Sequence, residues 1–296
     1  MTDFLFNLHP NRTLAEAVTA GLAAVEGRLE RRQFPDGESY FRVRAEVAGR
    51  TVVLLADLHQ PDRNALPALL LAQTLRDLGA ESVLLAAPYL PYMRQDKRFH
   101  PGEGITSRYF ARLLSSCVDA LVTVDPHLHR YASLSEIYTI PARALQAAPL
   151  IAQWIAANIE RPLLIGPDSE SAQWVQAVAE RAEAPCTVLD KTRHGDRDVE
   201  VSAPDIDHWR DHTPVLVDDI VSSGHTMLET LKQLQQLGLP KAVCIAVHGV
   251  FADTAAAQLA ASAARVVTCN SIPHATNAID LAGLLAAGIR ALETPR

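Results

Sequence analysis

The sequence predicts an α/β protein of two domains, each a mainly parallel sheet flanked by helices. Three observations carry the prediction. Short apolar runs alternate with helical patterns almost from end to end, which is the pattern of parallel sheets covered on both faces. The chain has 296 residues and 48% hydrophobic content, room for two cores of ordinary size. The same alternation recurs in both halves and is compatible with an internal duplication.

Taken in order, strands are expected at Thr51–Ala56, Ser82–Ala87, Ala120–Val124, Pro162–Ile165, Cys186–Leu189, Pro214–Val217, Ala242–Val247 and Arg265–Thr268. Helices are expected at Asn64–Leu78, Ser107–Ser116, Pro149–Asn158, Ser169–Glu183, Gly224–Leu237, Thr254–Ala263 and Asn277–Leu292. Pro141 and Pro149 mark residues 140–149 as a crossover, so the domains are expected at 1–145 and 146–296. One sheet of eight or more strands fits the length less well.

Composition narrows the function. A net charge of −7 argues against a nucleic-acid-binding surface, while leaving room for a local basic pocket. No apolar run is long enough to span a bilayer, and Met-Thr-Asp-Phe-Leu-Phe-Asn at the start lacks a basic segment followed by an apolar one. A soluble cytoplasmic protein is expected, with no membrane partner. Cys117, Cys186, Cys244 and Cys269 lack metal-ligand spacing. Cys186 and Cys244 lie in apolar runs and are expected to be buried free thiols.

The richest stretch is Val215–Thr226. An apolar run ends in Asp218 and Asp219, and the turn Ser222-Ser223-Gly224-His225-Thr226 leads into a helix. Backbone N–H groups at a helix start hold a phosphate, and carboxylates accept hydrogen bonds from sugar hydroxyls. A phosphorylated pentose presents both groups. A plain capped turn is the alternative, but it leaves the paired carboxylates unexplained.

Further candidates lie elsewhere. Phe34-Pro35-Asp36-Gly37-Glu38 is a turn whose aromatic and acceptors suit a nucleobase, although Pro-Asp-Gly is common in ordinary turns. Arg94-Gln95-Asp96-Lys97-Arg98 carries three cations in five residues after a strand, which suits a polyphosphate; a solvated basic loop is the alternative. His127 and Asp168, each after a strand, could share a hydrated Mg²⁺. A lone His after a strand is more often structural. Lys191 and Arg193 precede His194–Asp198, a segment without apolar periodicity that reads as a loop or hairpin tip able to close over a reacting phosphate.

Together these motifs, with Ala246–Phe251 and Asn270–His274, resemble in order and spacing the ribose-phosphate pyrophosphokinase family, from Phe34 to Ile279. The resemblance implies two phosphoribosyltransferase-like domains and transfer of the β,γ-diphosphate of ATP to the 1-hydroxyl of ribose 5-phosphate, giving phosphoribosyl diphosphate and AMP. It implies that Phe34, Asp36, Gly37 and Glu38 hold adenine and that Arg94 and Gln95 hold the ATP phosphates. It further implies His127 and Asp168 for Mg²⁺, Lys191 and Arg193 as catalytic cations, with Arg193 also near ribose 5-phosphate. Asp218 and Asp219 then meet the ribose, and Ser222, Ser223, Gly224, His225 and Thr226 bind its phosphate. In this family the adenine turn generally comes from a neighbouring subunit, so a homo-oligomer built on dimers, tetramers and hexamers included, is implied.

The chain also departs from the family pattern. Ser222–Thr226 stands where members often have Asp-Thr-Gly-Gly-Thr, Ser169–Trp174 where a glycine pair is usual, and Thr192 where the middle basic residue falls. Three other readings compete. A phosphoribosyltransferase that consumes phosphoribosyl diphosphate leaves the adenine turn and Arg94-Gln95 unexplained. A non-catalytic regulatory paralogue is expected to have lost Lys191 and Arg193, and both are present. The altered Ser169–Trp174 stretch keeps open a different 5-substituted ribose as acceptor.

Overall fold

The computed structural model describes residues 1–167, 171–188, 190–193, 199–202 and 206–293, with backbone alone for 172, 173, 190–193, 199–202, 206 and 207. Two compact units emerge. The first comprises Met1–Gln146, Ser271–Pro273 and the chain from Leu281; the second comprises Ala147–Asn270 and His274–Asp280.

In the first unit, β1 (Phe4–Leu8), β2 (Val25–Glu26), β5 (Thr51–Ala56), β6 (Ser82–Ala87), β7 (Ala120–Val124) and β8 (Ala142–Leu145) form one parallel sheet of order β2-β1-β5-β6-β7-β8. A separate antiparallel hairpin, β3 (Leu29–Gln33) with β4 (Ser39–Val43), is inserted between β2 and β5. Strands β5, β6 and β7 are apolar and almost wholly buried, as parallel strands covered on both faces must be. Helices α1 (Arg12–Leu22), α2 (Pro61–Asp77) and α3 (Thr106–Cys117) complete the front of the unit. Asn11 caps α1 by accepting from the Leu14 amide at 3.0 Å.

The second unit repeats the plan. Strands β9 (Pro162–Gly166), β10 (Cys186–Val188), β13 (Thr213–Val221), β14 (Val243–Gly249), β15 (Arg265–Cys269) and β16 (Asn277–Ile279) form a parallel sheet of order β10-β9-β13-β14-β15-β16. Here too an antiparallel hairpin, β11 (Asp190–Arg193) with β12 (Val199–Ser202), falls between the second and third strands of the sheet. The duplication that periodicity only allowed is therefore present as topology. Leu163, Ile165 and Leu216 of this sheet pack with Met227, Leu231 and Leu234 of α6 (His225–Gln236) and Leu259 of α7 (Ala255–Ser262).

The helices after the last strands exchange units. Helix α4 (Ala148–Asn158) follows β8 but packs on α5 (Ala172–Ala182) of the second unit. Helix α8 (Ala282–Glu293) follows β16 but packs on α1 and on β7 and β8 of the first. A Cβ added at Gly21 would come within 2.9 Å of the Ala286 Cβ, so the α1–α8 approach requires glycine there. Arg290 donates to the Gly21 carbonyl, and the Thr2 hydroxyl to Glu293.

Several expectations are corrected. The expected second domain, 146–296, differs from the second compact unit, because Ser271–Pro273 and the chain from Leu281 belong to the first. The Pro141–Pro149 crossover contains β8, an edge strand of the first sheet. Residues 277–279 are a strand, not the start of a helix. Cys244 is buried, its thiol pushed up to about 12 by burial, but Cys186 is exposed because β10 is an edge strand. Among the described residues, no helix is long and apolar enough to cross a membrane.

Candidate active site

In the second unit, β13 runs farther than its apolar stretch. Asp218 pairs with Ala246 of β14, and the ladder continues through Ile220–His248 and Val221–Gly249. Both carboxylates are thus strand residues, half-buried and backed by a rigid sheet. The Asp219 amide donates to the Asp218 carboxylate at 3.0 Å. Amides of Val250 and Phe251 donate to the Val221 carbonyl and that of Ala252 to Ser222, which braces the turn from behind.

Gly224 then takes the left-handed conformation at φ +70° and starts α6 at His225. A side chain at 224 would be strained, and its Cβ would lie 3.3 Å from Leu259. Gly224 at the N-cap offers no side chain to the helix start, where the Ser223 hydroxyl accepts from the His225 amide at 3.5 Å; a helix start flanked by Ser222, Ser223 and Thr226 is chemically suited to an anion. His225 Nε2 lies 3.2 Å from Glu229, one turn on. Lys191 and Arg193 occupy β11, in register with Val201 and Val199. Asp168 and His194–Asp198 lie outside the described residues.

In the first unit the Phe34–Glu38 turn is the tip of the β3–β4 hairpin. The Phe34 amide donates to the Glu38 carbonyl at 2.8 Å and the Gly37 amide to Phe34 at 2.9 Å, with Gly37 at φ +93°. The whole tip is exposed. Phe34 meets Tyr40 edge-on, and the Arg32 guanidinium lies 4.6 Å from the Phe34 ring centroid. Among the described residues, no hydrogen bond or ring contact ties this tip to Arg94 or Gln95.

Arg94 and Gln95 sit in the loop after β6. Tyr92, at φ +63°, packs its ring 4.8 Å from Phe110 and donates its hydroxyl to Asp62 at the start of α2. That bond raises the phenol's pKa. Gln95 accepts from the Thr106 hydroxyl at 3.1 Å, while Arg94 is exposed. His127 follows β7 by way of Asp125, which is strained at φ +33° and donates its amide to Leu145 at 2.8 Å. His129, which the motif reading passed over, stacks on His127 with ring centroids 3.8 Å apart. A His-x-His spacing was the available signal. The positions at strand ends agree with where open parallel sheets bind ligands.

The comparisons with known proteins agree with this architecture. A family profile for the N-terminal domain of ribose phosphate pyrophosphokinase matches residues 4–117, and one for the phosphoribosyl transferase domain matches 133–282. The ribose-phosphate pyrophosphokinase of Methanopyrus kandleri is 32% identical over 284 residues, covering 95% of each chain. That of Methanothermobacter thermautotrophicus is 33% identical over 260 residues, covering 87% of this chain and 90% of the other. The crystal structure of phosphoribosylpyrophosphate synthetase from Mycobacterium smegmatis matches with a TM-score of 0.86 at 25% identity, covering 99% of both chains. The chain belongs to the ribose-phosphate pyrophosphokinase family.

Proposed function

We propose that the chain moves the diphosphate of ATP to the 1-hydroxyl of ribose 5-phosphate, releasing AMP. The observation that carries this reading is the β13–α6 turn. It sets two half-buried carboxylates beside a helix start with a glycine N-cap, as a phosphorylated pentose requires. Family membership and the nucleobase-type turn at Phe34–Glu38 favour synthesis of phosphoribosyl diphosphate over its consumption.

In this reading Asp218 and Asp219 hold the ribose hydroxyls, and Ser222–Thr226 hold the 5-phosphate. Phe34, Asp36, Gly37 and Glu38 hold adenine, and Arg94 and Gln95 hold the donor phosphates. The sugar hydroxyl attacks the β-phosphorus in line with departing AMP. Lys191 and Arg193 offset charge that develops on the phosphoryl oxygens. Mg²⁺, when bound, neutralises phosphate charge. The paired imidazoles of His127 and His129 alone are a poor inner shell for so hard a cation, so they fit an ion that keeps its waters, with Asp168 as the carboxylate. The exposed, self-braced hairpin fits a turn used by a neighbouring copy in a homo-oligomer, and a cytoplasmic setting fits the substrates.

The test is incubation with ATP, ribose 5-phosphate and Mg²⁺ without any nucleobase. AMP release that depends on the pentose phosphate is expected; its absence overturns the reading. A panel of 5-substituted riboses in the same assay identifies the acceptor.

A further inference from the structure

The loops after β6 and β7 are joined by an ion pair that the motifs did not point to. Asp96 follows Gln95 directly, and its side chain is only 2% exposed. Arg130, three residues after His127 and next to His129, places Nη1 2.9 and 3.1 Å from the two Asp96 carboxylate oxygens. The Tyr131 hydroxyl donates to the Asp96 carbonyl at 3.1 Å and lies 3.1 Å from the buried Ser107 hydroxyl. The Ser107 amide in turn donates to the Gln95 carbonyl at 3.3 Å. Each loop is therefore locked at a residue adjoining one proposed to act.

Burying a carboxylate is costly, and well-packed apolar residues serve stability at least as well. What an ion pair adds is direction. One guanidinium nitrogen bridging both oxygens fixes the distance between the two loop backbones, which an apolar contact does loosely. The strained backbones at Tyr92 and Asp125 show that both loops are held in conformations they would not choose alone.

We propose that Asp96 and Arg130 are positioning residues for the donor nucleotide: their pairing sets the spacing between Arg94-Gln95 and His127-His129, so that phosphate-holding and cation-holding groups meet one triphosphate. This rests on the roles given above to Arg94, Gln95 and His127. Neither member of the pair needs to touch ATP.

The test compares wild type with R130Q, R130K, D96N and the double variant D96N/R130Q. Equilibrium binding of Mg–ATP is measured without acceptor, alongside KM for ribose 5-phosphate and melting temperature. R130Q is expected to weaken Mg–ATP binding about tenfold while KM for ribose 5-phosphate stays within about twofold. R130K, which keeps the charge but not the planar fork, recovers part of the loss and carries the same test if R130Q does not fold. The double variant is expected to bind Mg–ATP no worse than the weaker single, because both break one link. Equal losses for both substrates, multiplying losses in the double variant, or a lowered melting temperature with unchanged Mg–ATP binding would overturn the proposal. A wild type that binds no Mg–ATP sinks the parent reading as well; a wild type and R130Q that bind equally sink this inference alone.

Discussion

The β5–α2 turn of the first unit and the β13–α6 turn of the second occupy the same place in the same strand order, yet they differ in the groups they offer a ligand. Both enter the helix through a left-handed residue, Gln60 at φ +52° and Gly224 at φ +70°. After Gln60 comes Pro61, which has no N–H to offer, and Leu58, His59 and Gln60 bring no hydroxyl. After Gly224 the helix begins at His225, whose N–H is present, and is flanked by Ser222, Ser223 and Thr226. The acids differ too. Asp218 and Asp219 lie on a strand, whereas Asp57 accepts from the His59 amide at 2.8 Å and burial raises its pKa. Nearby His9 is lowered by burial, with Nδ1 accepting from the Asn11 amide at 3.2 Å and Nε2 3.3 Å from the Ser271 carbonyl. One topology thus carries a hydroxyl-rich, glycine-led turn in one copy and a His9–Asp57 polar cluster in the other. Architecture supplies the position, and the residues decide whether it is used.

Four perturbations would break or sharpen this contrast. The largest effect is expected at the β11–β12 hairpin, to which catalytic cations are proposed to belong. Replacing Lys191 by Ala should lower turnover by roughly a hundredfold or more, as lost transition-state donors do; near-normal turnover in a rapid-quench assay would remove Lys191 from the mechanism. Next, D218A should raise KM for ribose 5-phosphate about thirtyfold, the scale of lost hydrogen bonds to a charged group, while D57A leaves it within about twofold. Comparable shifts in the two variants would mean that the turns are not distinct. F34A should raise KM for ATP about tenfold through lost stacking and spare KM for the pentose phosphate. Titration of both substrates checks that split.

The smallest effect concerns the His9–Asp57 cluster. Because the folded state holds His9 below the unfolded value of 6.5, acid protonates the unfolded chain first. His9 therefore costs stability as pH falls through about 6.5 and contributes no such slope above it. Asp57, shifted upward, acts in the opposite sense at lower pH. Melting temperatures of H9Q should accordingly fall less steeply than wild type between about pH 7 and 5.5. Parallel curves would show that His9 does not titrate across unfolding.

Much of the fold was legible because β5, β6 and β7 are apolar runs buried on both faces, and their ends match the sequence reading. Strand β1 and helix α1 were missed despite their buried apolar residues, while other missed elements have a different physics. Strands β3 and β4 carry Glu30, Arg31, Arg32 and Arg42 on an exposed ribbon, where neither burial nor strict alternation marks a strand. Edge strand β8, with Ala-Arg-Ala-Leu beside Pro141, looks like a linker until its ladder with β7 is known. Strand β13 passes through Asp218 and Asp219 because pairing with β14 satisfies its backbone, a fact absent from hydropathy. The candidate site is readable in the sequence where its proposed parts are contiguous, as in Ser222–Thr226. Asp96 and Arg130, 34 residues apart, meet only through the order of β6 and β7.

The return of α8 to the first unit has a consequence for biosynthesis. Leu285, Ala286 and Ile289 bury against a unit whose other elements were translated well over a hundred residues earlier. The half of the chain that leaves the ribosome first therefore cannot bury the face that α8 covers until Ala282–Glu293 has been made. A fragment ending at Gln146 would keep that face open permanently.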